Sequence, residues 1–258
     1  AKVDGPLGRV SLQPAPDRTL QASWNNRRRA YPGGVSLTRQ LAERVAVHPK
    51  RRAVVAGTVA LSYGELEDRA NILARRLLDS GIRPGGHIAL LFQPSVEAIV
   101  AIVAVVKTGN AYAPFDPNLP QTRRQAMLSG LRFEALLTHR NLTADLDLGG
   151  LPIWSLDGLG WQVVPEPVEA GLPEHLLYIT HTSGSTGVPK GSGVYQHAFI
   201  NLMTWWNHEF AIGVADRNLL INKMSFDLAQ KNIWGALLTG GELHLDTAER
   251  FDPNVVCE

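Results

Sequence analysis

Cysteine is almost missing from this chain: Cys257 stands alone among 258 residues, so no internal disulfide can form. The first 20 residues hold no apolar run of the kind a secretory signal needs, and a reducing cytoplasm is the expected compartment. Excess charge is missing too. Twenty-five Lys and Arg against 24 Asp and Glu leave a net charge of +1, and the two basic clusters, at 27–29 and 50–52, are short and far apart. Both read as solvated surface, and a nucleic-acid groove is not expected. No apolar run reaches the roughly 20 residues that span a bilayer. The strongest, at 96–106, has ten apolar residues of eleven, interrupted by Glu97, and reads as a core element buried on all sides. No repeat or low-complexity tract occurs.

What is present suffices for a substantial core, since 45% of residues are hydrophobic. Residues 1–35 are rich in Pro, Arg and Asn and read as an extended leader or linker, followed by a helix through Leu37, Leu41 and Val45. Strands and helices then alternate. A β-prone run at 53–56 precedes a helix opened by the capping box Ser62 and Glu65, carrying Leu66, Ala70, Leu73 and Leu77 at helical spacing to Gly81. The strand 87–92 leads through Pro94 and Ser95 into the apolar helix, which Gly109 ends. A strand at 112–115, a helix near 121–128 and a strand at 135–138 follow. Residues 141–174, with a short strand at 151–154, read as a connection between two lobes at about 36–140 and 175–258. Beyond it come a strand at 176–180, a loop at 182–191, a helix at 197–210, a strand at 218–222, a helix at 227–238 and a strand at 242–246. Such an order predicts an α/β fold, with parallel sheets covered by helices on both faces.

The loop carries the chemistry. Thr182, Ser183, Gly184, Ser185, Thr186, Gly187, Pro189, Lys190 and Gly191 follow an apolar strand. Glycines let backbone N–H groups turn toward an anion, the hydroxyls add rotatable donors, and Lys190 adds a mobile positive charge. A polyphosphate is what such a set would hold. The order Val188-Pro189-Lys190-Gly191 departs from the Walker loop, and the string does not match GxGxxG. A flexible Gly/Ser linker is the alternative, disfavoured by the register of Pro-Lys-Gly and the place between strand and helix.

With these residues the sequence resembles the adenylate-forming enzymes, and within them the adenylation domains of nonribosomal peptide synthetases. Their phosphate-loop signature is matched by residues 182–191. The run 61–66, LSYGEL, with Arg69-Ala70-Asn71 looks like the family's first core motif, and the run 107–117, KTGNAYAPFDP, like its second. Phe226-Asp227 before a helix resembles the start of the amino-acid pocket. Trp24-Asn25 with Tyr31-Pro32 is similar to the linker after an upstream condensation domain.

The resemblance implies that a carboxylate is joined to the α-phosphate of ATP, with Mg2+, releasing pyrophosphate. The acyl group then passes to the phosphopantetheine thiol of a carrier protein domain. Carried over, Ser183, Ser185, Thr186 and Lys190 would embrace the β- and γ-phosphates, with Thr182 beside them, and Gly184, Gly187 and Gly191 would shape the loop. Asp227 would receive the α-ammonium group of an amino-acid substrate, or cap its helix, or both. Leu228 and Lys231 would line the pocket, where Lys231 either pairs with a polar or acidic substrate side chain or stays solvated. His181 replaces a more usual Tyr, and Ser192-Gly193 a more usual apolar pair. His197 is expected to cap or pack, and Trp205 and Trp206 to lie in the core. No later family motif is found before Glu258, so the chain is expected to be the N-terminal part of such a domain, an incomplete large subdomain inactive by itself. A non-catalytic scaffold or interaction module is the alternative.

Overall fold

A computed structural model describes residues 14–26, 34–162, 166–182 and 189–247. It contains two compact units, residues 1–32 and 33–258. Of the first, the described part is one helix, α1 (Ala15–Asn25), entered from Pro14 at φ −56°. The leader was expected to be extended. Proline presets the helical φ at an N-terminus, which offsets part of the cost of starting a helix without a strong apolar period.

The second unit begins with α2 (Leu37–Val47), β1 (Arg52–Ala56), β2 (Val59–Ser62) and α3 (Tyr63–Asp79). Next come β3 (His87–Leu91), α4 (Val96–Lys107), β4 (Ala111–Phe115), α5 (Gln121–Ser129), β5 (Ala135–Thr138) and β6 (Ile153–Ser155). The final group is β7 (Leu176–Thr182), β8 (Lys190–Tyr195), α6 (Gln196–Glu209), β9 (Arg217–Leu220), α7 (Asp227–Thr239) and β10 (Glu242–Leu245). No described helix is long and apolar enough to cross a membrane.

The described strands form two sheets, ordered β2-β1-β10-β9 and β6-β5-β3-β4-β7-β8. Pairings are parallel except for β1 with β2 and β7 with β8. The fold is therefore α/β, as its alternating elements predict. The connection at 141–174 does not divide one sheet from the other, however, because each sheet draws strands from both sides of it. Hydrophobic period specifies that a segment is a strand and which face it buries, but not which partner it takes.

Alternation along β3 shows how the larger sheet is covered. Ile88 and Leu90 join the main core with Tyr112 and Leu137, while Ala89 and Leu91 join a second core with Phe115, Leu136 and Met127 of α5. Helix α4 lies against β3 and β4 of this sheet and also against β1 and β2 of the other. That position accounts for its sequence: every residue except Glu97 is buried, and a helix apolar all round is stable only between two layers. Ser95 caps it, accepting from Ala98 N at 3.2 Å. It ends at Gly109, whose φ of +75° disfavours a side chain and whose added Cβ would lie 2.7 Å from Ala170 O.

Residues from both core motifs tie helices and sheets together. The box at the start of α3 is present, with Ser62 N donating to Glu65 Oε2 at 2.7 Å and Glu65 N to Ser62 Oγ at 3.2 Å. Tyr63, wholly buried, donates to Gly241 O at 2.8 Å and so ties α3 to the turn before β10. Lys107, also wholly buried, donates to Glu67 Oε1 at 2.7 Å, joining α4 to α3. Asn71 adds a donor to the same oxygen at 3.2 Å and accepts from Val168 N at 3.1 Å. Glu67 Oε2 has no hydrogen-bond partner among the described residues.

Candidate functional site

Strand β7 brings the candidate residues together. Its middle is buried and its last residue, Thr182, is exposed at the C-terminal end, where a parallel sheet presents its loops. The chain then returns as β8, antiparallel to β7, with Thr182 opposite Lys190 and His181 opposite Gly191. Thr182, Lys190 and Gly191 thus belong to paired antiparallel strands, and the chain enters a strand, not a helix, directly after Pro189. Glycine has low strand propensity, so the six residues Lys190–Tyr195, with Gly191 and Gly193 among them, do not read as a strand; their pairing is supplied by β7 at the sheet edge. Thr182 Oγ1 donates to Lys190 O at 3.4 Å, and both side chains are exposed at the hairpin mouth. Gly191 sits close under a neighbour: an added Cβ would lie 2.8 Å from Leu131 Cδ1. Ser183, Gly184, Ser185, Thr186 and Gly187 lie outside the described residues.

His181, just inside the mouth, packs against Phe115 with ring centroids 5.3 Å apart. Neither ring nitrogen has a hydrogen-bond partner among the described residues, and burial pushes the imidazole below its ordinary pKa of 6.5. The neutral ring is therefore favoured in the folded state. Its contribution is full above about pH 6.5 and is lost as the pH falls toward the depressed value, where the unfolded chain takes up the proton first. Melting temperature measured from pH 7.5 to 5 should fall more steeply for the native chain than for His181→Tyr. Parallel profiles would show that His181 does not couple folding to protons.

Asp227 is the first residue of α7. It makes no side-chain cap, the N-cap position being Phe226, but a carboxylate in the first turn complements the helix dipole. Its Oδ1 accepts a hydrogen bond from the hydroxyl of Tyr178, on β7. Tyr178 is only 3% exposed; its ring meets Phe199 edge-on at 5.7 Å and Tyr112 at 5.9 Å. Burial, and the hydrogen bond to Asp227, push its phenol well above the ordinary value, so the hydroxyl remains a donor. A second polar chain lies beneath. Trp234 Nε1 donates to Tyr112 Oη at 3.1 Å, Tyr112 donates to Gln230 Oε1 at 2.6 Å, and Gln230 Nε2 donates to Met224 O at 2.7 Å. Gln230 thereby fixes the turn that delivers Asp227.

Leu228 is 58% exposed beside Asp227. Lys231, one turn on, neither reaches into solvent alone nor pairs with an acid: its Nζ lies 3.5 Å above the Trp206 ring, a cation–π contact. Trp206 packs partly into the core, but Trp205 is 39% exposed, against expectation. A helix with apolar side chains on more than one face cannot bury them all against a single neighbour. His197 bonds Pro173 O through Nδ1 at 3.2 Å and stacks on Tyr195, a packing role. Near the C-terminal ends of β3, β4, β9 and β10 a cleft of about 720 Å3 is lined by Phe92, Gln93, Phe115, Asp116, Lys223 and Met224. Lys223 Nζ donates to Asp116 Oδ2 at 2.5 Å across it. Tyr178, Gln230 and this pair were not foreseen. For Tyr178 the available signal was a hydroxyl placed inside an otherwise apolar buried strand, which must find a partner.

Comparison with known proteins agrees with this geometry. The family model described as AMP-binding enzyme matches residues 41–258. Tyrocidine synthase 3 of Brevibacillus parabrevis is 33% identical over 231 residues, which cover 88% of this chain and 4% of that protein. Isonitrile lipopeptide synthase of Mycobacterium tuberculosis (strain ATCC 25618 / H37Rv) is 35% identical over 252 residues, covering 91% and 10%. The crystal structure of the nonribosomal peptide synthetase FmoA3 superposes with a TM-score of 0.88 at 25% identity, over 96% of this chain and 26% of that one. Its AMPPNP-bound form gives 0.84 at 26% identity, over 92% and 26%. The chain thus spans a small fraction of the length of these relatives. With a match over most of its residues, and with peptide synthetases as its relatives, the chain belongs to the AMP-binding enzyme family.

Proposed function

We propose that this chain supplies the phosphate-gripping and amino-acid-recognising part of an adenylation domain in nonribosomal peptide synthesis. In the reaction, a carboxylate oxygen of the amino acid attacks the α-phosphorus of ATP, the bond to the bridging oxygen breaks, and pyrophosphate leaves. The observation that carries this reading is the double use of β7. Tyr178 holds Asp227, and four residues on Thr182 opens the phosphate loop, about 13 Å further along an extended strand. An α-ammonium group at Asp227 leaves the substrate's carboxylate to point along β7 toward the nucleotide. Thr182 and Lys190, exposed at the hairpin mouth, suit an anion, with Ser183, Ser185 and Thr186 as further donors and Gly184, Gly187 and Gly191 allowing close approach.

Mg2+ belongs with the bound nucleotide in this reading. Mg2+ commonly takes its ligands from substrate phosphates and one or two carboxylates. Leu228 lines the pocket, and Lys231 does so by lifting from Trp206. Residues 1–35 serve as the linker from an upstream condensation domain, and 36–258 form the N-terminal part of the adenylation domain. The aminoacyl group passes to a carrier domain's phosphopantetheine thiol, and the reducing cytoplasm suits that chemistry.

The test is amino-acid-dependent exchange of labelled pyrophosphate into ATP by the full-length gene product, against the twenty common amino acids. Exchange dependent on one or a few of them is expected. No exchange with any would leave the scaffold reading in its place.

A further inference from the structure

The Tyr178 hydroxyl is bonded to Asp227 at a position that no part of the phosphate loop or the pocket helix requires. Tyr178 belongs to the six-stranded sheet, whereas Asp227 begins α7, which lies against β9 and β10 of the four-stranded sheet. The contact is therefore a strut between two layers. A carboxylate at the exposed start of a helix turns freely about χ1 and χ2 unless something holds it. Here Oδ1 is held by a donor that is itself immobilised between Phe199 and Tyr112, while the residue remains open to solvent on its other side.

We infer that Tyr178 is a positioning residue for substrate recognition: it fixes the Asp227 carboxylate so that Oδ2 is presented to the α-ammonium group of an amino acid. The inference rests on the proposed adenylation function. One oxygen is occupied by a neutral donor and one is left for a cation, and a substrate lacking the ammonium group gains nothing from the arrangement. Pre-setting the carboxylate also removes the rotamer entropy that binding would otherwise cost. Gln230, itself held by Tyr112, donates to Met224 O and Phe226 O in the turn before Asp227, so that the start of α7 is held at both its main chain and its side chain.

The experiment is pyrophosphate exchange by the full-length gene product and its Tyr178→Phe variant. The amino acid that supports most exchange and its desamino carboxylic acid are used as paired probes. Loss of a hydrogen bond to a charged group is expected to raise the amino-acid KM about tenfold. The KM for ATP and that for the desamino acid should not change. Tyr63→Phe, which removes an equally buried hydroxyl bonded to Gly241, should lower the melting temperature and leave all three constants alone. If Tyr178→Phe does not fold, Phe199→Leu loosens the ring and keeps the hydroxyl, and about a threefold rise in the amino-acid KM alone is expected. An unchanged amino-acid KM, or a parallel rise in all three constants, overturns the positioning role while leaving the adenylation reading intact. Absence of exchange in the native protein overturns that reading and this inference with it.

Discussion

Lys107→Met is expected to destabilise the fold by about 3–5 kcal/mol. The substitution preserves most of the side chain's volume, so the cost does not come from a cavity. It comes from Glu67, which is 8% exposed and accepts from Lys107 and Asn71 through one oxygen while its other oxygen has no hydrogen-bond partner among the described residues. Without the ammonium group that carboxylate is left buried with an amide as its remaining donor. Thermal melting should show a fall of roughly 10 °C. The double variant Glu67→Leu with Lys107→Met should recover most of the loss, because replacing both members of a buried pair by apolar groups is often nearly neutral. A double variant as unstable as Lys107→Met would mean that the pair's surroundings, and not its charge balance, set the cost.

Asp227→Ala should reduce amino-acid-dependent pyrophosphate exchange on the order of 100-fold in kcat/KM, about 2.7 kcal/mol. Two losses combine there: the ammonium partner goes, and the Tyr178 hydroxyl is left without its acceptor. Folding should lose about 1–3 kcal/mol, mainly from the buried Tyr178 hydroxyl left unbonded, with about 0.3–1 kcal/mol more from the helix dipole. The KM for ATP should stay near its native value, because Thr182 and its partner Lys190, proposed above to meet the phosphates, lie at the far end of β7. A variant that keeps its preference for the amino acid over the desamino acid would assign ammonium recognition to another residue.

Much of the architecture could be read from local chemistry. Ser62 with Glu65, Ser95 before the apolar run, and Gly109, at positive φ after α4, mark helix ends through short-range geometry that depends on a few adjacent residues. The strands 87–92 and 135–138 show in their apolar runs for the same reason. What was not legible depends on partners distant in sequence. Strand β8 exists because β7 pairs with it, and its two glycines argue the other way. The candidate site divides along the same line: residues 182–191 announce themselves by type and spacing and Asp227 through the family resemblance, but Tyr178 reads as one more core residue of a strand. Its role lies in a bond across 49 residues, and the hydroxyl's need for an acceptor does not say where that acceptor is. Lys231 likewise touches a partner that local spacing does not name, its ammonium group lying over the Trp206 ring of the preceding helix.

The smaller sheet has a consequence for synthesis. Its central pair sets Val54 against Leu243, so β1 and β2 leave the ribosome roughly 190 residues before the strand that completes their sheet. At about 5–20 residues per second, the β1 edge of the nascent hairpin waits some 10–40 s for β10, free to pair elsewhere. Over that interval, binding by a chaperone that captures extended apolar segments competes directly with aggregation. Translation speed through codons 63–242 then becomes a determinant of yield, acting on a surface that the finished molecule no longer shows.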